Sequence, residues 1–290
     1  MTKVVSRDGE GIFSRPSPLR WAGSKRKLLP VLRRYWRQGD KKYIEAFAGS
    51  ACLFFDLRPA EAVLNDSNSE LISAYRILAK QPEELHRSIS SIPVDSETYY
   101  AIRSKNPDSI FDKAVRFFYL NRYCFNGIYR TNKRGEFNVP FGSYKTGGLP
   151  SLAKWNEAAE ALLSARLFSS DFEKVVRENV SAGDFVYLDP PYAVSNRRIF
   201  KQYSATEFGE SDLLRLKMLM KDIDKQGAAF VVSYAQSKET AVLAEGWSTF
   251  RQLAQRNVAG FSHQRRKAVE VLITNDPSRN PGRKNNAAAA

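Results

Sequence analysis

The sequence predicts an α/β protein whose parallel, doubly wound sheet is interrupted by a mostly helical insert. Two strand–turn–helix patterns follow one another at residues 42–55 (KYIEAFAGSACLFF) and 61–78 (EAVLNDSNSELISAYRIL). Such units in succession build parallel sheets. Strand-like apolar runs then pause until 184–188, 228–234 and 268–274. Residues 80–160, in between, mix helical periodicity with one long irregular run. At 290 residues the chain is long enough for a large core.

Taken in order, residues 1–16 read as a poorly ordered arm. PLRWAGSKRKLLPVLRRYW (18–36) opens as a loop and predicts a basic amphipathic helix, because Leu28, Leu29, Leu32 and Trp36 recur at helical spacing. Residues 42–55 read as a short strand, a glycine turn and a helix. Residues 61–78 repeat that order, with Asp66 at the strand end. A helix is expected over DKAVRFFYLNRY (112–123). It is followed by FNGIYRTNKRGEFNVPFGSYKTGG (125–148), rich in glycine, asparagine, aromatics and bases. Irregular stretches of this length inside a compact domain usually carry function. The basic segment NVAGFSHQRRK (257–267) is expected to be a mobile loop touching phosphates, and the tail NPGRKNNAAAA is low in complexity. The chain thus divides into a first part of the sheet domain (1–70), an insert (71–156), a second part (157–276) and a disordered tail (277–290).

Composition narrows the function. No apolar run approaches membrane-spanning length and no signal peptide precedes the first bases, so a cytoplasmic location is expected. Two cysteines, Cys52 and Cys124, and two histidines, His86 and His263, leave no disulfide framework. They also make a zinc site or a histidine triad unexpected, and no metal is predicted. The formal net charge of +14 is unevenly placed. Residues 15–42 carry ten Lys/Arg against one acid and residues 101–150 carry nine against three, whereas residues 43–100 carry four against nine. Two basic zones around an acidic one suggest a polyanion track beside a different kind of pocket.

The chemistry concentrates in three places. In FVYLDPPYAV (185–194) an apolar strand ends at an acid and two prolines, which cannot continue a β-ladder. Asp189 and Tyr192 are therefore expected at the carboxyl end of a buried strand, where open α/β sheets place ligands. In FAGSA, Gly49 allows the backbone to approach a ligand closely. Asp66 lies 17 residues further on, where an acid in Rossmann-like folds accepts hydrogen bonds from ribose hydroxyls; it could equally cap the helix after it, as could Ser67 or Asn68. The phosphate-cradling glycine patterns of P-loops and dinucleotide sites are missing, so a nucleoside cofactor without pyrophosphate, such as S-adenosylmethionine, fits better than NAD. An adenine N6 amine is a poor nucleophile. Asp189 and the Pro190 carbonyl could accept its two hydrogens and aim its lone pair at a methyl group, while Tyr192 stacks on the extruded base.

With RWAGSKRKLL, IEAFAGSACLF, LNDSNSELISAY, FFYLNRYCFNGIYRTNKRGEFNVPFG and YLDPPY in this order, the chain resembles the Dam-type (D12 class) DNA adenine-N6 methyltransferases over most of residues 18–275. The resemblance implies a Rossmann-like methyltransferase sheet with a helical target-recognition insert, S-adenosylmethionine as cofactor, and double-stranded DNA as substrate with the base flipped out. It implies cofactor contacts from Trp21, Lys25, Phe47, Gly49, Asp66 and Asp189, and base contacts from Asp189, Pro190 and Tyr192. DNA contacts are expected from Arg20, Arg130, Asn132, Lys133, Arg134 and Lys145. Among these, Arg134 and Arg20 are candidates for guanine readout, Lys133 and Lys145 for phosphates, and Arg130 for either. Two departures stand out. Ala51 occupies the place of a usual second glycine and is expected to crowd the site, and Thr131 replaces an aromatic residue of the DNA-contacting loop. A GATC target is therefore an open expectation, as is a related short site. A prokaryotic or phage setting, a monomer in solution and a cognate restriction endonuclease complete the expectations. Methylation of RNA or of a protein glutamine, and a DNA-binding regulator on a degenerate fold, are the alternatives.

Overall fold

The computed structural model describes residues 17–132, 134–143, 147–191, 208–255 and 267–281. At its centre seven strands form one sheet: β1 (Tyr43–Glu45), β2 (Ala62–Asn65), β3 (Ala165–Phe168), β4 (Phe185–Leu188), β5 (Ala229–Ala235), β6 (Ser248–Gln255) and β7 (Lys267–Thr274). Their order is β3-β2-β1-β4-β5-β7-β6. The first five run parallel, and β7 is antiparallel to both β5 and β6. The expected parallel, doubly wound arrangement holds over β1–β5, and β7 and β6 extend it as an antiparallel edge. β6 and β7 are consecutive arms, and antiparallel arms need no crossover helix between them. β3 and β6 were not expected, because β3 is half-exposed and β6 interleaves polar residues, which leaves little apolar signal.

Register decides where the site forms. Glu45 lies opposite Leu64 of β2 and Tyr187 of β4, so β1, β2 and β4 end at one level. From β1 the chain moves outward to β2 and β3, then returns to place β4 on the other side of β1. That reversal between β1 and β4 is the position at which open α/β sheets bind ligands.

Side chains alternate along the strands and divide the core. Tyr43, Leu64, Phe185 and Tyr187 join one cluster, and Ile44, Val63, Val186 and Leu188 join the other. The first cluster includes residues of α2 (Cys52–Leu57), α3 (Ser69–Lys80), α4 (Pro82–Ser90), α5 (Ser96–Ser104), α6 (Ile110–Tyr123) and α7 (Leu152–Leu162). The second is covered by α8 (Phe172–Asn179), α9 (Glu210–Lys225) and α10 (Lys238–Ala244). One continuous cluster therefore runs from Leu64 and Tyr187 through Tyr75 to Phe118 and Trp155. The helices between β2 and β3 share the sheet's core.

Local chemistry sets the helix ends. Asn68 caps α3 by accepting from Leu71 N–H at 3.1 Å, and Asp95 and Ser109 cap α5 and α6 in the same way. Pro82 ends α3 and opens α4, since it has no N–H to continue the ladder. The amphipathic helix expected within 18–36 is corrected to three short pieces. A 3-10 turn (Lys25–Leu28), α1 (Leu29–Leu32) and a second 3-10 turn (Arg33–Tyr35) follow one another. Pro30 supplies no N–H to the turn before it, so the pieces cannot fuse. Leu28, Leu29 and Leu32 are nevertheless buried. Residues 277–279, expected as the start of a tail, form a turn whose Arg279 bonds Asp40 at 2.7 Å and the Tyr35 carbonyl. The expected arm 1–16, the basic loop up to residue 266, and residues 282–290 lie outside the described residues.

Candidate active site

Three loop segments meet at the carboxyl ends of β1, β2 and β4. The turn after β1 is held from several sides. Gly49 N–H donates to Asp66 Oδ2 at 2.8 Å, the Gly49 carbonyl accepts from the Tyr75 hydroxyl at 2.9 Å, and Ala48 N–H reaches the Asn65 carbonyl at 2.8 Å. Gly49 has φ +47°, and a Cβ on it would stand 2.8 Å from Trp21 Nε1. The conformation favours glycine, and the space beside Trp21 leaves no room for a Cβ. Ala51 also has positive φ, +46°, and is fully buried. Alanine carries a backbone strain here of about 1 kcal/mol.

Asp66 is not the helix cap; Asn68 is. Its Oδ1 accepts from Asn68 N–H at 2.9 Å while Oδ2 accepts from Gly49. A carboxylate has about four acceptor sites, so capacity remains for ligand hydroxyls. Burial pushes its pKa up, and the two N–H bonds work against that rise.

Asp189 follows β4 directly. Lys25 Nζ lies 2.8 Å from its Oδ1, and Ser233 of β5 donates to the same oxygen at 2.9 Å. The Tyr187 hydroxyl is 3.0 Å from Ser233 Oγ. Lys25 is 8 % and Asp189 18 % exposed, so this ion pair is largely shielded from water. Burial raises the Asp189 pKa, the Lys25 ammonium lowers it, and buried Glu270 adds to the rise. Glu45, buried and accepting from the Tyr43 hydroxyl at 2.9 Å, is pushed well above the carboxylate range, by burial first and by nearby Asp189 and Asp66 as well. A cation placed beside these raised carboxyls would favour their ionised forms. Tyr192 lies outside the described residues.

The segment that carries Trp21 and Lys25 is joined to the irregular loop after α6. The Asn121 side chain exchanges two hydrogen bonds with the Arg20 backbone, at 3.0 and 2.6 Å, and Ala22 N–H reaches the Gly127 carbonyl at 3.1 Å. Arg20 Nη1 donates to the carbonyls of Arg122 (2.8 Å) and Cys124 (3.4 Å), which end α6. The loop itself is a narrow antiparallel pair: Cys124 bridges Phe141 and Thr131 bridges Phe137. At its tip, Asn132 Oδ1 accepts from the N–H groups of Arg134 (2.9 Å) and Glu136 (3.0 Å), and Nδ2 donates to Glu136 Oε2 (2.7 Å). Arg130 braces the opposite arm through Asn138 Oδ1 at 2.7 Å. Arg134 is exposed at the tip. Lys133 and Lys145 lie outside the described residues.

A family model for D12 class N6 adenine-specific DNA methyltransferases matches residues 21–258. The chain belongs to that class. The type II methyltransferase M1.LlaDCHI of Lactococcus lactis subsp. cremoris is 35 % identical over 267 residues, covering 88 % of this chain and 94 % of that protein. The type II methyltransferase M.MjaIII of Methanocaldococcus jannaschii is 31 % identical over 283 residues, covering 89 % and 98 %. A DNA adenine methylase of Salmonella typhi is 30 % identical over 270 residues, covering 89 % and 95 %. The protein is thus an adenine-N6 DNA methyltransferase, and DNA is its substrate class. No helix among its described residues is long and apolar enough to cross a membrane, and they contain no group of three or more His, Cys, Asp or Glu placed to hold a metal.

In this methyltransferase Trp21, Lys25, Gly49, Asp66 and Asp189 converge from distant parts of the sequence. Phe47 packs on the second core cluster, with its ring 5.1 Å from Phe172 and 6.0 Å from Phe208. The side-chain bonds of Asn132 and Arg130 shape the loop that carries them, and Arg20 ties that loop to the segment before Trp21. Glu45, Ser233, Tyr75, Asn121 and Tyr129 were missed in the sequence. For Glu45 a signal existed, an acid inside an apolar strand. The others are polar or aromatic residues whose side-chain hydrogen-bond partners lie 26 or more positions away.

Proposed function

We propose that the methyltransferase moves a methyl group from S-adenosylmethionine to the N6 amine of an adenine flipped out of duplex DNA. Asp189 carries the reading: both of its bonds to described residues fall on Oδ1, and Oδ2 stands ready for an incoming amine. S-adenosylmethionine, when bound, supplies an electrophilic methyl on a cationic sulfur. The chain's residues fit such a molecule. Asp66 has acceptor capacity for ribose hydroxyls, Gly49 lets Trp21 close on the turn, and Trp21 offers an aromatic face. Phe47 contributes as a wall of the turn rather than as a polar contact.

Asp189 and the Pro190 carbonyl accept the two amine hydrogens, so the nitrogen lone pair is left aimed at the methyl. As positive charge develops on nitrogen both acceptors gain strength, which stabilises the transition state more than the ground state. Lys25 keeps Asp189 ionised against its burial. Tyr192 stacks on the flipped base. The amine releases its proton after attack, so no histidine base is required.

Residues 71–156 serve as the target-recognition insert between the two catalytic parts, 1–70 and 157–276. Arg134, exposed at the loop tip, reads a guanine edge; Arg20 retains Nε and Nη2 for a second contact; Lys133 and Lys145 meet phosphates. The target is GATC or a related short site. Thr131 offers no ring to wedge between bases, which is why relatives at about 30 % identity do not carry their targets over. Two of the relatives are named type II methyltransferases, which supports a cognate endonuclease as partner. The protein acts as a monomer in the cytoplasm.

The deciding experiment is transfer of labelled methyl to unmethylated genomic DNA, followed by mapping of every modified base. N6-methyladenine at one short motif is expected. Asp189→Asn, which keeps the shape, should lower turnover about 100-fold or more while DNA affinity stays near wild type. Turnover that survives this substitution overturns the mechanism.

A further inference from the structure

Tyr129 stands where the target loop, the glycine turn and α3 meet, and the mechanism above assigns it nothing. Its ring lies nearly parallel to Trp21, with centroids 5.8 Å apart and an interplanar angle of 18°. It also packs on Phe117 of α6 and on Phe137 of the loop's returning arm, at 5.8 and 5.6 Å. Its hydroxyl donates at 2.8 Å to Glu70, in the first turn of α3 and four positions after Asp66. Trp21, for its part, packs against Gly49 so closely that a Cβ there would meet the indole nitrogen at 2.8 Å.

We propose that Tyr129 is a positioning residue for the cofactor site. Trp21 belongs to a loop without regular structure, where an indole otherwise samples several rotamers. Stacking by Tyr129 and the close approach of Gly49 restrict that freedom. Tyr129 is itself fixed by three groups from two helices and the loop. It is also the residue before Arg130, so the arms that carry Arg134 and the turn that faces the cofactor are built on one stack of rings. The inference rests on Trp21 being a cofactor residue, and the experiment separates the two claims.

S-adenosylmethionine is titrated calorimetrically into the DNA-free protein, for wild type and for Trp21→Ala, Tyr129→Leu and Tyr129→Phe. Leucine keeps apolar bulk against Phe117 and Phe137 but has no ring for Trp21; phenylalanine keeps the ring and drops the bond to Glu70. Trp21→Ala and Tyr129→Leu should each weaken binding about three- to tenfold, with Tyr129→Phe within about twofold of wild type. A role in stability alone would lower the melting temperature and leave the affinity of folded molecules unmoved. If Trp21→Ala weakens binding and Tyr129→Leu does not, the positioning role is refuted and the cofactor site stands. If Trp21→Ala binds like wild type, the assignment of Trp21 falls and this inference with it. Equal losses in Tyr129→Phe and Tyr129→Leu would move the effect from the ring to the hydroxyl and overturn the proposal as stated.

Discussion

In the proposed mechanism Asp189 accepts an amine hydrogen more strongly when ionised, yet it is largely buried. Burial alone would hold it protonated to a higher pH, and Lys25 at 2.8 Å opposes that shift. Activity is therefore expected to fall as pH drops through a pKa above the ordinary aspartate value. Lys25→Met removes the lowering partner, so the acid limb of the kcat profile should move to still higher pH; a limb that stays put would separate Lys25 from the ionisation of Asp189. Arg134 is a different case, because it is exposed and, among the described residues, its side chain is not spent on the loop's own bonds as that of Asn132 is. Arg134→Ala should relax discrimination at one base pair by about 1–3 kcal/mol, measured as relative methylation rates on singly changed sites. Equal weakening on all sequences would make it a phosphate contact.

Among the elements, the loop after α6 shows how an irregular segment is kept in one shape. Its backbone groups lack a regular ladder, so side chains answer them: Arg20 takes two carbonyls, Arg103 takes that of Val139 at 3.1 Å, and Arg122 takes that of Gly148. The composition of residues 125–148 announced a functional loop, but not that arginines outside it would be used to hold it. On the opposite face, Arg215 of α9 joins Asp171, which caps α8, to Glu173 and Asp212, with its guanidinium 4.8 Å over Phe172. Burial would raise the pKa of both Asp171 and Glu173, yet the bonds from Arg215 hold them below their ordinary values. Depressed carboxylates stabilise the fold above their unfolded pKa and lose that contribution as pH falls through the folded one. Arg215→Ala should therefore cost about 1 kcal/mol at neutral pH, kept small by partial exposure, and less in acid; urea melts at two pH values test this. The same scale explains the missed strands. β6 is an edge and β3 is half-exposed, and both present the mixed polarity that a loop would.

Across the whole molecule, clustering of bases in sequence overstated one basic zone and understated the other. Within residues 15–42, Lys25, Arg33, Arg37 and Lys42 are paired with Asp189, Asp56, Asp276 and Asp184, acids that lie far away in sequence. The arginines of the insert mostly bond neutral carbonyls and keep their full charge. DNA affinity should fall steeply with salt, each phosphate contact contributing about 0.9 to the slope of log affinity against log salt. Arg37→Ala should leave that slope unchanged, and a flat plot for the wild type would remove the basic track altogether.

Local pattern was sufficient for β1, β2, β4, β5 and β7, for α3 and α6, and for the placing of Asp66, Gly49 and Asp189 at strand ends, because strand periodicity and proline stops act within a few residues. It also carried the family, since several short motifs appear in one order. Only the tertiary structure decided that Lys25 meets Asp189 across 164 positions, that Asn68 and not Asp66 caps α3, that Phe47 packs on Phe172 and Phe208, and that Tyr129 stacks on Trp21. Each of these depends on which sheet edge or helix face a distant segment is packed against, and burial sets that through contacts that local periodicity does not encode.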